Sequence, residues 1–359
     1  MKDRLAESVL ARVMGWGPEQ IARTGSSLQL LAAHKYDSYE GFRPGMKFLE
    51  HLTGWLSQFS EAQDRRTAIG FVLSQMVFIS RSELDHLIET VYPDSVRPML
   101  VREAADRLGL PRYAVRRVAS SPEFREMQRK LLVLGLSDGA RIDRLRRSSP
   151  QLSHEQIYLA TDIGDETALD AVGKLRETTG DGEARFEHVL LVDDFYGSGF
   201  TLLREPKPGA DEPFDGRLWR TKRRLEDLVD IGVLHDGAKV TVLVYIASSD
   251  AETHVLTMLE RAQLPWTLKI VQRLPADQKV TDPEIAKLCR WHYDPILVDR
   301  SKPKPAPLGF RDVALPLVLP HNTPNNSVCI LWADTTDRPG GQARRALFPR
   351  YERHRDDRL

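Results

Sequence analysis

His188-Val-Leu-Leu-Val-Asp193-Asp194-Phe195-Tyr196-Gly197-Ser198-Gly199-Phe200-Thr201-Leu202 decides how this chain is read. Val189 to Val192 are aliphatic throughout, as befits a strand buried on both faces of a parallel sheet. Asp193 and Asp194 then fall at the strand's carboxyl end, where open α/β sheets bind ligands. Gly197 and Gly199 allow the following loop to turn sharply and present successive backbone N–H groups, a concavity suited to a phosphate. The hydroxyls of Ser198 and Thr201 add donors, and the two carboxylates can accept from sugar hydroxyls. Together these groups fit a ribose 5-phosphate.

The order of apolar strand, two acids and a hydroxyl- and glycine-bearing loop resembles the signature of type I phosphoribosyltransferases, which bind phosphoribosyl pyrophosphate. Ser198 stands where that signature has threonine, and Tyr196 and Phe200 are bulkier than its usual loop residues. The resemblance implies that Asp193, Asp194, Tyr196, Gly197, Ser198, Gly199 and Thr201 hold the phosphoribosyl group. It also implies that Asp193 and Asp194 can touch Mg²⁺.

Two further units follow. Lys239 to Ile246 and Trp266 to Gln272 read as strands with a helix between them, an alternation that gives a parallel sheet. The fold class expected is therefore α/β, a parallel-sheet phosphoribosyltransferase-like domain over 151–359, preceded by a helical region over 1–97 and a winged-helix-like domain over 98–150. Between the glycine loop and a helix from Arg217 to Asp230 stands Glu205-Pro-Lys-Pro-Gly-Ala-Asp-Glu-Pro-Phe-Asp-Gly216. It reads either as a lid over the phosphate site or as a plain excursion.

The helical region has apolar residues at three- and four-residue spacing from Leu5 to about Tyr92. Lys35 to Tyr39 within it either lines a partner surface or uses its tyrosines to cover a core. Val101 to Val118, with Ala105 and a turn at Gly109, has helix-turn-helix spacing. Ser137-Asp138-Gly139 would then be the wing. Arg112, Arg116, Arg117, Arg141, Arg144, Arg146 and Arg147 concentrate there, a basic patch that can pair with nucleic-acid phosphates or form a solvated face of a protein-docking module.

Composition sets the outer bounds. The chain has 359 residues, 51 basic and 51 acidic, so no global field draws it to nucleic acid. Cys289 and Cys329 are its only cysteines, which argues against a disulfide framework or a cysteine-based zinc site. With no signal-like amino terminus and no apolar stretch of membrane-spanning length, the expectation is a soluble cytoplasmic protein with no membrane partner.

The carboxyl-terminal part offers His321-Asn322-Thr-Pro-Asn325-Asn between two strand-like runs. His321, Asn322 and Asn325 can read a base edge or orient a nucleophile, or simply build a tight turn. Ser301 to Pro307 reads as a stiff connector, and the tail from Arg344 to Arg353 is basic. Taken with the central motif and Leu347-Phe-Pro-Arg350, the chain is similar to phosphoribosyltransferase-like conflict effectors with an associated winged helix, found in bacterial antiphage defence systems that include retrons. That resemblance implies an antiphage effector held in check by or assembled with a reverse transcriptase and its DNA–RNA product; the phosphoribosyl site itself reads either as an enzyme acting at ribose C1, by transfer or hydrolysis, or as a non-catalytic nucleotide-sensing or assembly subunit that binds nucleic acid through its winged helix.

Overall fold

The aliphatic runs become neighbours in one parallel sheet. The computed structural model describes residues 2–160, 163–293, 307–334 and 344–350. In chain order the strands are β1 (Val77–Phe78), β2 (Leu131–Gly135), β3 (Ile157–Leu159), β4 (Phe186–Tyr196), β5 (Leu234–Ser248), β6 (Thr267–Leu274) and β7 (Leu317–Val318). Five of them make the central sheet in the order β3-β2-β4-β5-β6, and every pairing is parallel. Helices Asp165–Thr179, Arg217–Asp230 and Ser249–Arg261 fill the connections from β3 onward, as parallel crossovers require.

The chain divides into two compact units. One comprises 85–274 and carries the whole central sheet; the other joins 1–84 to 275–359. The sequence reading places boundaries at 97/98 and 150/151; the compact units are bounded at 84/85 and 274/275. β2 ties 98–150 to the sheet of the region after 150. Leu131 to Leu134 are fully buried and pair with β3 on one side and β4 on the other. A strand apolar on both faces belongs in the middle of a sheet, not in the hairpin of a wing.

The segment expected to form a helix-turn-helix is a succession of short helices. Helix Arg97–Leu108 ends at Gly109 in the left-handed region, a five-residue helix Val115–Ala119 follows, and Pro122–Arg129 leads directly into β2. Ser137 to Gly139 is consequently the loop leaving the carboxyl end of β2. It is not a wing.

The other unit is mainly helical. Lys2–Met14, Ser26–His34, Phe48–Ser57, Ala62–Ser74 and Pro283–His292 surround the short parallel pair of β1 with β7. Its core is aromatic: Trp55, Phe48, Phe59, Phe71 and Phe348 are all buried, and Trp55 Nε1 donates to the Ile330 carbonyl at 3.0 Å. Tyr36 and Tyr39 are buried in the same core, so they cover it and do not form an exposed surface. The tail strand-like run near Cys329–Trp332 is one helical turn. The connector at 301–306 and the tail beyond 350 lie outside the described residues.

Among the described residues no helix is long and apolar enough to cross a membrane.

Candidate functional site

The sheet order places a reversal between β2 and β4. From β2 the chain moves outward to β3, then returns past β2 to start β4, after which β5 and β6 extend the other way. Crevices open at the carboxyl ends of strands flanking such a reversal. Both β2 and β4 end there in polar loops.

On β4, Asp193 is wholly buried. Ser137 Oγ donates to its Oδ1 at 2.5 Å, and Arg217 Nη1 donates to its Oδ2 at 2.5 Å. Burial, aided by the neighbouring Asp194 charge and opposed by Arg217, pushes its carboxyl up to about 7. Asp194 is partly exposed. Two residues on, Tyr196 is buried at the strand end, and burial plus the Asp193 charge hold its hydroxyl far above the ordinary phenol range. Tyr196 thus belongs to β4 and not to the loop.

The loop 197–203 does what the glycines suggested. Gly199 has φ of 69°, and Leu202 N–H closes the turn on the Gly199 carbonyl at 3.0 Å. Among the described residues the N–H groups of Ser198, Gly199 and Thr201 donate to nothing, and Ser198 and Thr201 reach solvent. The loop is held from below: Ser248, at the end of β5, donates through Oγ to the Gly197 carbonyl while capping helix Ser249–Arg261 by accepting from Ala251 N–H at 3.1 Å. Unpaired N–H groups on a loop tied down at its base are the chemistry from which an anion cradle is built.

Sequence reasoning missed the facing loop. A Cβ on Gly139 would lie 2.3 Å from Asp194 Oδ2, so any side chain there must displace that carboxylate or the 138–140 backbone. Beside it, Tyr245 of β5 donates to the Ala140 carbonyl at 2.6 Å. Ser137 and Gly139 read as a wing in the sequence because their meeting with Asp193 and Asp194 depends on strand order. Arg217 was missed for the same reason; no local signal marks it.

The insertion is pinned at its base. Arg204 and Asp215 exchange two backbone hydrogen bonds of 2.9 Å each and form an ion pair, so Glu205 to Phe214 is an excursion with a closed neck. Glu212 on it accepts from Trp219 Nε1 and Arg223 Nη1, both at 2.8 Å.

The remaining sequence candidates separate. His321, Asn322 and Asn325 belong to the other unit. There the Asn325 carbonyl accepts from Phe310 N–H at 2.7 Å, and neighbouring Thr323 is buried against Tyr39, at 3.0 Å between hydroxyl oxygens. Of the arginines, Arg141 pairs with Asp85 at 3.0 Å, Arg144 with Glu89, Arg112 with Asp106 at 3.2 Å, and Arg146 donates to the Ile157 carbonyl at 2.6 Å. Arg116, Arg117 and Arg147 are exposed. The seven arginines are therefore not one free basic surface.

A cleft of about 310 Å³, lined by Lys130, Glu187 and His235 among others, opens at the opposite, amino-terminal ends of the strands. Lys130 there meets Glu187 at 2.8 Å; an adjoining cleft holds Arg107 against Glu187 at 3.0 Å and Lys239 against Glu103 at 2.8 Å, so the ion pairs along this edge are already made. Ligand chemistry is better served at the carboxyl ends, where donors are left open.

For Mg²⁺, the donor chemistry is right but sparse. Carboxylate oxygens suit a hard cation, yet both oxygens of Asp193 are engaged by protein groups. Among the described residues no group of three or more histidine, cysteine or acidic side chains is arranged to hold a metal ion. A site of this kind fits Mg²⁺ only when ligand phosphates complete its shell, with Asp194 as the protein contribution.

No curated protein and no solved structure matches the chain. The family model PRTase-CE matches residues 52–350, a span that takes in β1, the whole central sheet and β7. With its acidic strand end and open loop at the reversal of a parallel sheet, the chain belongs to the PRTase-CE family and carries a phosphoribosyltransferase-like domain.

Proposed function

We propose that the 85–274 unit binds a phosphoribosyl ligand and acts at ribose C1, by transfer or by hydrolysis. The observation that carries this is the pairing of an acidic strand end with the open N–H groups of Ser198, Gly199 and Thr201 at the sheet's reversal. In this reading the loop takes the 5-phosphate, Asp194 accepts from the ribose hydroxyls, and Asp193 anchors the framework around them. The loop 137–140 faces the side on which a leaving pyrophosphate would lie.

Bond breaking at C1 develops oxocarbenium-like charge, so positioning and electrostatics do most of the work. Asp194 is placed to fix the sugar; the loop N–H groups hold the phosphate and restrain the ring. When bound with the ligand, Mg²⁺ supplies neutralisation of pyrophosphate charge.

By its resemblance to conflict effectors the protein would serve antiphage defence, restrained by or assembled with a reverse transcriptase and its DNA–RNA product. Exposed Arg116 and Arg117 on helix Val115–Ala119 support contact with nucleic acid in such an assembly. A second reading, a nucleotide sensor that binds without turnover, draws on the closed Asp193–Arg217 pair. Calorimetry with phosphoribosyl pyrophosphate, followed by assay of its consumption, separates the two. Binding with consumption supports the enzyme; binding without it supports the sensor; no binding removes both.

A further inference from the structure

Arg217 is the residue that the insertion delivers. Gly216, just before it, has φ of 123°, and a Cβ there would stand 2.2 Å from the Leu202 carbonyl oxygen. The chain thus comes back beneath the glycine loop through a passage only glycine fits. Arg217 N–H then donates to the Thr201 carbonyl at 3.2 Å, fixing this backbone to the loop itself.

The side chain extends from there to Asp193. One Nη1 contact to Oδ2 uses part of its fork, and among the described residues the guanidinium makes no other hydrogen bond. It is 36% exposed, while Asp193 is 0% exposed. A guanidinium has five donors in a plane, and it binds phosphate through two at once. The remaining donors of Arg217 are therefore unused, on a side chain about a third exposed, beside a loop in which the N–H groups of Ser198, Gly199 and Thr201 are also unused.

We infer that Arg217 is a ligand-binding residue that contacts the 5-phosphate of the bound molecule, held in place by Asp193, which acts as its anchor and not as a ribose ligand. This rests on the reading of the site as a phosphoribosyl site. The ligand class is a phosphate monoester of a pentose, and part of the charge that a cation would otherwise provide comes from the protein.

The test is calorimetric titration of the full chain with ribose 5-phosphate in EDTA, so that no divalent cation contributes. Arg217→Gln is expected to weaken binding at least about tenfold, the scale of a charge-assisted pair. Arg217→Lys, which keeps the charge without the fork, should fall between. Arg220→Gln, one turn along and paired instead with Asp215 at 3.6 Å, should leave affinity unchanged and so controls for net charge.

Because Arg217→Gln strands a buried carboxylate, the Asp193→Asn/Arg217→Gln double variant restores a neutral pair; it should fold and still bind weakly. Wild-type affinity in that folded double variant, with loss in Asp194→Asn, would overturn the inference and leave the site reading intact. Failure of the wild-type protein to bind either ribose 5-phosphate or phosphoribosyl pyrophosphate would overturn the site reading itself.

Discussion

Arg217 Nη1 stands 2.5 Å from Asp193 Oδ2, a cation from the start of one helix neutralising a carboxylate buried at the tip of the central strand. Removing one partner of such a pair leaves the other uncompensated. Arg217→Ala should cost about 2–3 kcal/mol, below the value for a fully buried pair because the arginine is partly exposed. Asp193→Asn should cost less, and the two changes should be strongly non-additive in denaturant unfolding. Simple additivity would show that the pair contributes nothing.

Gly139 touches Asp194 where no side chain fits without a shift. Gly139→Ala should displace the carboxylate or the 138–140 backbone, reducing affinity for phosphoribosyl pyrophosphate with little change in melting temperature. Unchanged affinity would mean that Asp194 does not meet the ligand.

Here the limits of sequence are physical. Asp193 to Thr201 was legible because strand, acids and loop are contiguous, and local order alone fixes their geometry. Ser137, Gly139 and Arg217 were not, since each reaches the acids through the neighbouring strand or the return from the insertion. Leu131 to Leu134 is ambiguous for another reason: a short aliphatic run after short helices suits several kinds of strand equally, and only its partners decide. The pairing of Val77 with Leu317 lies beyond any local pattern.

The two-unit division predicts separable folding. A fragment spanning 85–274 should fold cooperatively, because its core of Leu132, Leu134, Val189, Leu191, Val242 and Val244 is complete within it. Deleting 328–350 should instead melt the other unit, since Ile330, Leu331, Leu347 and Phe348 sit in the core with Trp55. Loss of sheet structure in the 85–274 fragment, seen by circular dichroism, would refute the division.

His292 gives that other unit an acid limit. Its ring is buried and its Nε2 donates to the Ala333 carbonyl at 2.8 Å; burial first, then Arg344, pulls its pKa down to about 4 despite that hydrogen bond. The unfolded histidine binds its proton near 6.5, so the neutral buried ring contributes fully above that pH. Stability should fall as pH drops from about 6.5 to about 4, and His292→Gln should flatten this part of the profile. An unchanged pH dependence in the variant would assign the titration elsewhere.

Nucleic-acid contact through helix Val115–Ala119 should be electrostatic. Affinity for single-stranded or duplex probes should fall steeply with salt, and Arg116→Ala with Arg117→Ala should reduce the slope of log affinity against log salt by about 1–2. A salt-independent complex would contradict the assignment.

The most direct measurement is mass-spectrometric analysis of products after incubating the protein with phosphoribosyl pyrophosphate, Mg²⁺ and a pool of bases and nucleotides, beside an Asp193→Asn/Asp194→Asn variant. The account predicts consumption of the ribosyl donor, with a product carrying its C1 in a new bond, and none from the variant. Donor that remains intact and gives the protein no protection against heat would contradict it.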